Sequence, residues 1–223
     1  MVLAMKRIFP GQQANGFTLV ELLVAMFLTF IAAVGMYKML VAYNASSEIM
    51  DQLVELQQNC RIAMGRMTDE IRMAAYDPTT TSPAKISPAS NATRFIFSMD
   101  LNEDGDVLDP DENIIYSLAD LDGDGVNDLV RNDINGGGAQ QVITNVSALQ
   151  FLYVDEDGNP VTAGPFTSSV EIAMVVKTTN EDYRITDNFN YQTRRGTSIL
   201  NNPNDNFRRR LIEQTVKCRN NGL

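Results

Sequence analysis

"GFTLVELLVAMFLTFIAAVGMY", residues 16–37, opens on a glycine, runs apolar from Phe17 to Tyr37 and carries one charged residue, Glu21. As a helix rising roughly 1.5 Å per residue, this run would span about 30 Å, the thickness of a bilayer's hydrocarbon core. Lys38 closes it, and Lys6 and Arg7, with no acid before Gly16, place the N-terminal end in the cytoplasm and the following chain outside. A secretory signal peptide would carry its polar cleavage region after the apolar core, whereas the polar GQQANG (11–16) precedes it here. A plain membrane anchor accounts for everything except Glu21, because a carboxylate near a membrane-helix end is costly unless it is paired or reaches the interface.

The residues Gly16-Phe17-Thr18-Leu19-Val20-Glu21, behind a short basic leader and before an apolar helix, resemble the class III signal of type IV prepilins and pseudopilins. That resemblance implies cleavage after Gly16 by a prepilin peptidase, methylation of Phe17 as the new N-terminus, and a role for Glu21 in assembly. Its physical content is simple. Cleavage creates a cationic amine on Phe17, and in a filament the Glu21 carboxylate of one subunit can neutralise a neighbour's amine inside an apolar bundle, offsetting the desolvation each charge would suffer alone.

Composition narrows the rest. The chain has 223 residues, enough for one compact domain and an appended segment, and 28 acidic residues against 18 basic ones give a net charge of -10. An extended nucleic-acid surface is not expected. Histidine is absent, which removes the commonest general base, the Ser-His and Cys-His pairs and imidazole zinc sites; no enzyme is expected.

Beyond the membrane run, residues 45–76 keep a helical period without proline. Ile49, Leu53, Leu56, Cys60, Ala63, Met67, Ile71 and Ala74 form an apolar stripe, opposite Glu48, Asp51, Glu55, Arg61, Arg66, Asp69 and Arg72. Asp77-Pro78 should end the helix. After a Ser/Thr/Pro-rich loop (79–92) come strand-like runs at 93–99, 113–119, 128–133, 141–155, 169–179 and 208–220, each bounded by turn residues. Helices do not alternate with them, so the expectation is an α+β fold whose long helix packs on a largely antiparallel sheet. The organisation expected is a leader (1–16), a transmembrane and assembly helix (17–43), an amphipathic helix half (44–77) and a β-rich globular domain with acidic loops (78–223).

Two loops carry metal-ligating patterns. In DLNEDGDVLDPD (100–111), Asp100, Asn102 and Asp104 alternate, Gly105 allows a tight turn, Asp106 offers its carbonyl and Asp111 takes the twelfth position, with Glu112 adjacent. Calcium needs six or more oxygens from a loop folded on itself, and this spacing supplies them; it looks like a dockerin-type loop without the flanking helices. DLDGDGVND (120–128) repeats the logic with Asp120, Asp122, Asp124 and Asp128, but Arg131 stands where a twelfth-position acid is wanted, so the first loop is favoured. DEDGNP (155–160) reads as a hairpin turn, and GGG (136–138) joins strands without the Lys-Ser/Thr a phosphate cradle needs. Cys60 and Cys218 allow one disulfide if the last strand runs beneath the helix, against two packed thiols otherwise. Arg208, Arg209 and Arg210 read as a solvated strand edge, or as a contact for an acidic neighbour.

The order of long helix, variable loop and antiparallel strands again resembles type IV pilin-like proteins. IIYSL, LVRND, SALQFLYVDEDG and the closing TVKCRN look most like PilW-type minor pilins and the related J-type pseudopilins of type II secretion. The proline that many major pilins carry in the membrane half is missing between Phe17 and Tyr43. The resemblance implies a minor pilin, or else a minor secretion pseudopilin, held in the inner membrane with its domain outside the cytoplasm and then assembled with major and minor pilins. A reading from another class is a membrane-tethered, calcium-dependent adhesin or binding module.

Overall fold

The computed structural model describes residues 16–221. Residues 1–15, including Lys6 and Arg7 of the expected leader, lie outside the described residues. The chain divides into two compact units, one ending at Glu48 and one starting at Ile49, and helix α1 (Leu19–Met73) contributes to both.

In the first unit α1 has no polar face. Leu22, Phe27, Phe30, Ile31 and Met39 are all more than half exposed, and the mean hydropathy of its most apolar window is 2.4. By length and composition this helix can cross a membrane. The Thr29 hydroxyl donates to the carbonyls of Ala25 and Met26 at 2.9 Å each, so its polarity is consumed within the helix.

In the second unit the expected stripe of α1 faces the core. Leu56, Cys60, Ala63, Met64, Met67 and Ile71 are buried, while Asp51, Glu55, Arg61, Arg66, Asp69 and Arg72 stay in solvent. The helix stops at Met73, short of Asp77-Pro78. The reason is a tertiary one: Ala75 adopts φ 63°, its N–H donates to the Ser98 carbonyl at 2.9 Å, and Asp100 N–H donates to the Tyr76 carbonyl at 2.8 Å. Pairing with a distant strand ends the helix before proline can.

Strands β1 (Phe95–Ser98), β2 (Asn113–Ala119), β3 (Asp128–Asp133) and β4 (Gly138–Ile143) form an antiparallel sheet in chain order. A second sheet starts with β5 (Val146–Val154) and β6 (Ser169–Lys177). The short antiparallel pair β7 (Tyr191–Gln192) and β8 (Ser198–Leu200) follows, and β9 (Arg209–Lys217) returns to give the order β5-β6-β9. All strand pairs are antiparallel, and the fold is the expected α+β arrangement of a long helix packed on a largely antiparallel framework.

The run 141–155, expected as one strand, is two. Asn145 sits at φ 63° and breaks it, so β4 closes the first sheet and β5 opens the second. Asparagine is among the few residues that tolerate this conformation. The sheets share one core. Phe95 stacks on Phe97 with ring centroids 5.0 Å apart and meets Phe151 and Tyr153 of the second sheet at 5.7 and 5.8 Å. Phe97 and Phe151 are each 1% exposed; burying such a ring contributes about 2 kcal/mol or more.

Candidate functional site

At the start of α1 the expected assembly residue is already engaged. Thr18 N–H and Thr18 Oγ1 both donate to Glu21 Oε2 at 2.9 Å, and Glu21 N–H donates to Thr18 Oγ1 at 3.2 Å. This is a capping box, Thr-x-x-Glu, which satisfies orphan donors of the first turn. The Thr18 to Glu21 spacing signals it in sequence, and it adds a local role to Glu21. Gly16 and Phe17 precede the helix and are exposed, Phe17 at 89%.

The loop 100–112 is drawn together by buried carboxylates at its two ends. Asp100 is fully buried; its Oδ2 accepts from Gly105 N–H at 3.0 Å, while its Oδ1 has no hydrogen-bond partner among the described residues. Glu112, 1% exposed, accepts from Leu101 N–H at 2.9 Å through Oε1 and from Asp109 N–H at 3.2 Å through Oε2. Between them, carboxylate oxygens of Asp104, Asp106 and Asp109 lie within 4.8 Å of one another, a grouping that could hold a metal ion. Asn102 donates its amide N–H to Asp104 Oδ2 at 3.0 Å and to Asp109 Oδ2 at 2.8 Å, and accepts from Asp104 N–H at 3.1 Å. Backbone N–H donation from Asp106, followed by the Asn102 amide, holds the Asp104 carboxyl below its usual range.

The carboxylate cluster differs from the expected ligand set at two positions. Asp111 does not join the cluster: at φ 69° its side chain turns outward and meets Arg131 Nη2 at 2.7 Å. Asp109, absent from the alternate-position pattern, takes a place in the cluster. The reason lies below the loop, where Asp133 accepts from Asp111 N–H at 2.9 Å and Asn135 donates to the carbonyls of Val107 (2.6 Å) and Asp109 (3.2 Å). Residue spacing alone does not report these distant buttresses.

The second loop groups Asp120, Asp122 and Asp124, all exposed, as a further candidate metal cluster. Asp120 accepts from Gly123 N–H at 2.7 Å and Gly125 N–H at 2.9 Å, as tight turns do. Asp128 is a correction: it heads β3, is buried, and accepts from the Gln141 amide at 2.6 Å.

Arg131 belongs to neither loop. Its guanidinium, with 3% side-chain exposure, donates through Nε to Glu70 of α1 at 2.9 Å and pairs through Nη2 with Asp111. Tyr116 O–H donates to the same Glu70 carboxylate at 2.8 Å. Burial raises the Tyr116 hydroxyl's pKa and the Glu70 charge adds to that, so it remains a donor.

The remaining sequence candidates also move. Cys60 and Cys218 are buried free thiols, so the bridge is not made. Cys60 shares a groove with Ile212, and Cys218 lies farther along the same extended strand by about 20 Å at roughly 3.3 Å per residue, against the roughly 4–7 Å between Cα atoms that a disulfide requires. Burial pushes the Cys60 thiol up to about 11 and the Cys218 thiol to about 12. The arginine cluster is not a solvated edge throughout. Arg209, its side chain 5% exposed, pairs with Asp187 at 3.0 Å and Asp205 at 2.5 Å, Arg208 pairs with Asp182 at 2.7 Å, and of the three Arg210 alone stays exposed.

The family model for the prokaryotic N-terminal methylation motif matches residues 12–37. No curated protein matches the chain. Among solved structures, a type IV-like pilin from Thermus thermophilus is similar over 76% of this chain and 100% of its own, at 12% identity and a TM-score of 0.48.

Proposed function

We propose that the chain is a structural subunit of a type IV pilus-like filament, a minor pilin of the PilW type, cleaved after Gly16 by a prepilin peptidase and methylated on Phe17. The observation that carries this reading is the methylation motif at 12–37, whose span holds Gly16, Phe17 and Glu21 and runs into a helix able to cross a membrane. Before assembly that helix anchors the subunit in the inner membrane, with the globular unit outside. In the filament its apolar faces pack on neighbouring pilin helices, and Glu21 exchanges its capping bonds for a neighbour's N-terminal amine. The uninterrupted membrane half and the large, loop-bearing domain favour a minor over a major subunit. N-terminal sequencing with mass analysis of the membrane-extracted protein tests the proposal. An N-methylated Phe17 supports it, and an intact Met1 or a cut elsewhere overturns it. Co-purification with pilins rather than with secretion components separates a pilus subunit from a pseudopilin.

The loop 100–112 is, in the same proposal, a calcium site. Asp104, Asp106 and Asp109 supply the cluster, and the buried, unpartnered Asp100 Oδ1 supports an additional oxygen ligand, since leaving such an atom without a partner is costly. Asn102 contributes once its amide turns its oxygen inward. The ion would neutralise converging carboxylates and stiffen the loop, with affinity on the order of 10⁻⁴ to 10⁻³ M, suited to an exterior compartment. The second loop has three exposed carboxylates and no buried oxygen of this kind among the described residues.

A further inference from the structure

Strand β9 is the last strand of its sheet, and its hydrogen-bonding phase can be read directly. Thr178 N–H donates to the Arg208 carbonyl at 2.9 Å and Cys218 N–H to the Ser168 carbonyl at 2.9 Å, so the even-numbered residues turn their backbone groups toward β6. The odd-numbered residues, among them Leu211, Glu213 and Thr215, therefore point N–H and C=O groups away from the sheet. Nine residues long, this edge has no strand beside it among the described residues. Such an edge is a ready template for another strand.

Alongside it runs a groove of about 360 Å³ between β9 and the outer half of α1. Cys60, Met64 and Ile212 give it an apolar floor, and Arg61 and Arg210 stand at its rim, both exposed. No ion pair among the described residues uses either arginine, in a chain that is otherwise strongly acidic. Asp69 stands one turn beyond Gly65, and Glu213 turns to the opposite face of β9, toward Arg194 at 3.8 Å.

Gly65 supplies an independent clue. It sits mid-helix on the groove wall, where glycine destabilises a helix relative to alanine, yet a Cβ there would meet nothing within 4 Å. No contact among the described residues demands the glycine. A backbone arriving from outside would.

We infer that the α1–β9 groove receives an extended acidic strand from another protein subunit, which adds to the free edge of β9, passes close over Gly65 and sets its carboxylates against Arg61 and Arg210. Backbone pairing supplies the affinity and the two arginines select the charge. This goes beyond the assembly reading and does not depend on processing at Gly16.

The test uses the full chain in detergent with two fluorescein-labelled probes, the peptide Val-Glu-Val-Glu-Val-Glu-Val and its lysine counterpart. The glutamate peptide should bind saturably and slow amide hydrogen exchange at Leu211, Glu213 and Thr215, and the lysine peptide should bind at least about tenfold more weakly. Arg61→Glu with Arg210→Glu should reverse that preference. Gly65→Leu should weaken glutamate-peptide binding by about tenfold or more while leaving the thermal unfolding midpoint unchanged or higher. Equal binding of the two peptides, binding that leaves those three amides unprotected, or no binding of the glutamate peptide would each overturn the inference.

Discussion

Arg131 Nε and Glu70 Oε1 meet at 2.9 Å across 61 residues of chain, joining the middle of β3 to the outer half of α1. The guanidinium's other end holds Asp111 of the acidic loop at 2.7 Å, so one buried cation ties helix, sheet and loop together. Desolvation opposes the charge on Arg131, but its bonds to Glu70 and then Asp111 outweigh it and hold the guanidinium firmly ionised.

Replacing Arg131 by methionine leaves the largely buried Glu70, beside the Tyr116 hydroxyl, with only the more exposed Arg66 at 3.3 Å as a cation. Breaking a buried pair from one side costs about 3 kcal/mol, which for a domain of this size lowers the melting temperature by about 9 °C. Calorimetry of Arg131→Met checks this. A loss below about 1 kcal/mol would place the pair among ordinary surface ion pairs.

The ligand set proposed for the first loop separates two neighbours. Asp109→Asn removes a cluster oxygen and should weaken calcium binding by about tenfold. Asp111→Asn leaves the cluster intact and should change it by no more than about twofold, while costing some stability through Arg131. Isothermal titration at millimolar calcium measures both, and equal losses would restore the alternate-position assignment.

Short-range pattern carried most of the fold. The stripe from Leu56 to Ile71 declared its buried face by period, and β2 and β3 occupy the residues that their flanking turns bracket. What escaped were features decided at a distance. Ala75 stops the helix by pairing with Ser98, Asn145 divides an alternating run between two sheets, and β7 and β8 are too short to register. In the loop, Asp104 of the carboxylate cluster was legible from spacing. The exchange of Asp111 for Asp109 was not, because Arg131, Asp133 and Asn135 direct it from another hairpin.

Glu21→Gln keeps a side chain able to accept from Thr18 and so preserves most of the capping geometry, while removing the charge. The variant should insert and be cleaved after Gly16 as the native chain is, yet enter filaments poorly. Immunoblots of membrane and sheared-filament fractions read both steps. Normal incorporation would leave Glu21 with the capping role alone.

Acid should loosen the segment around Asp182. Hydrogen bonds from Arg184 and then Arg208 lower its carboxyl from 3.8 to about 2. A depressed folded value contributes stability that is present above about pH 4 and is lost as the pH falls toward 2. The stability deficit of a doubly substituted Arg184→Met, Arg208→Met protein relative to the native chain should therefore be largest near neutrality and shrink through this window. A deficit that persists unchanged at pH 2 would show that the arginines act by packing.

The break at Asn145 also partitions what can be rewritten. The first sheet carries both acidic loops, and the turn from Asp120 to Val126 is built from its own side-chain and backbone hydrogen bonds. Foreign residues spliced at Gly123 would displace no packed side chain, since nothing among the described residues lies within 4 Å of the position where its Cβ would stand. A short epitope placed there would travel as a passenger on the domain's surface, a built-in address label for locating each copy of the domain under the electron microscope, and along a fibre if the proposed assembly holds.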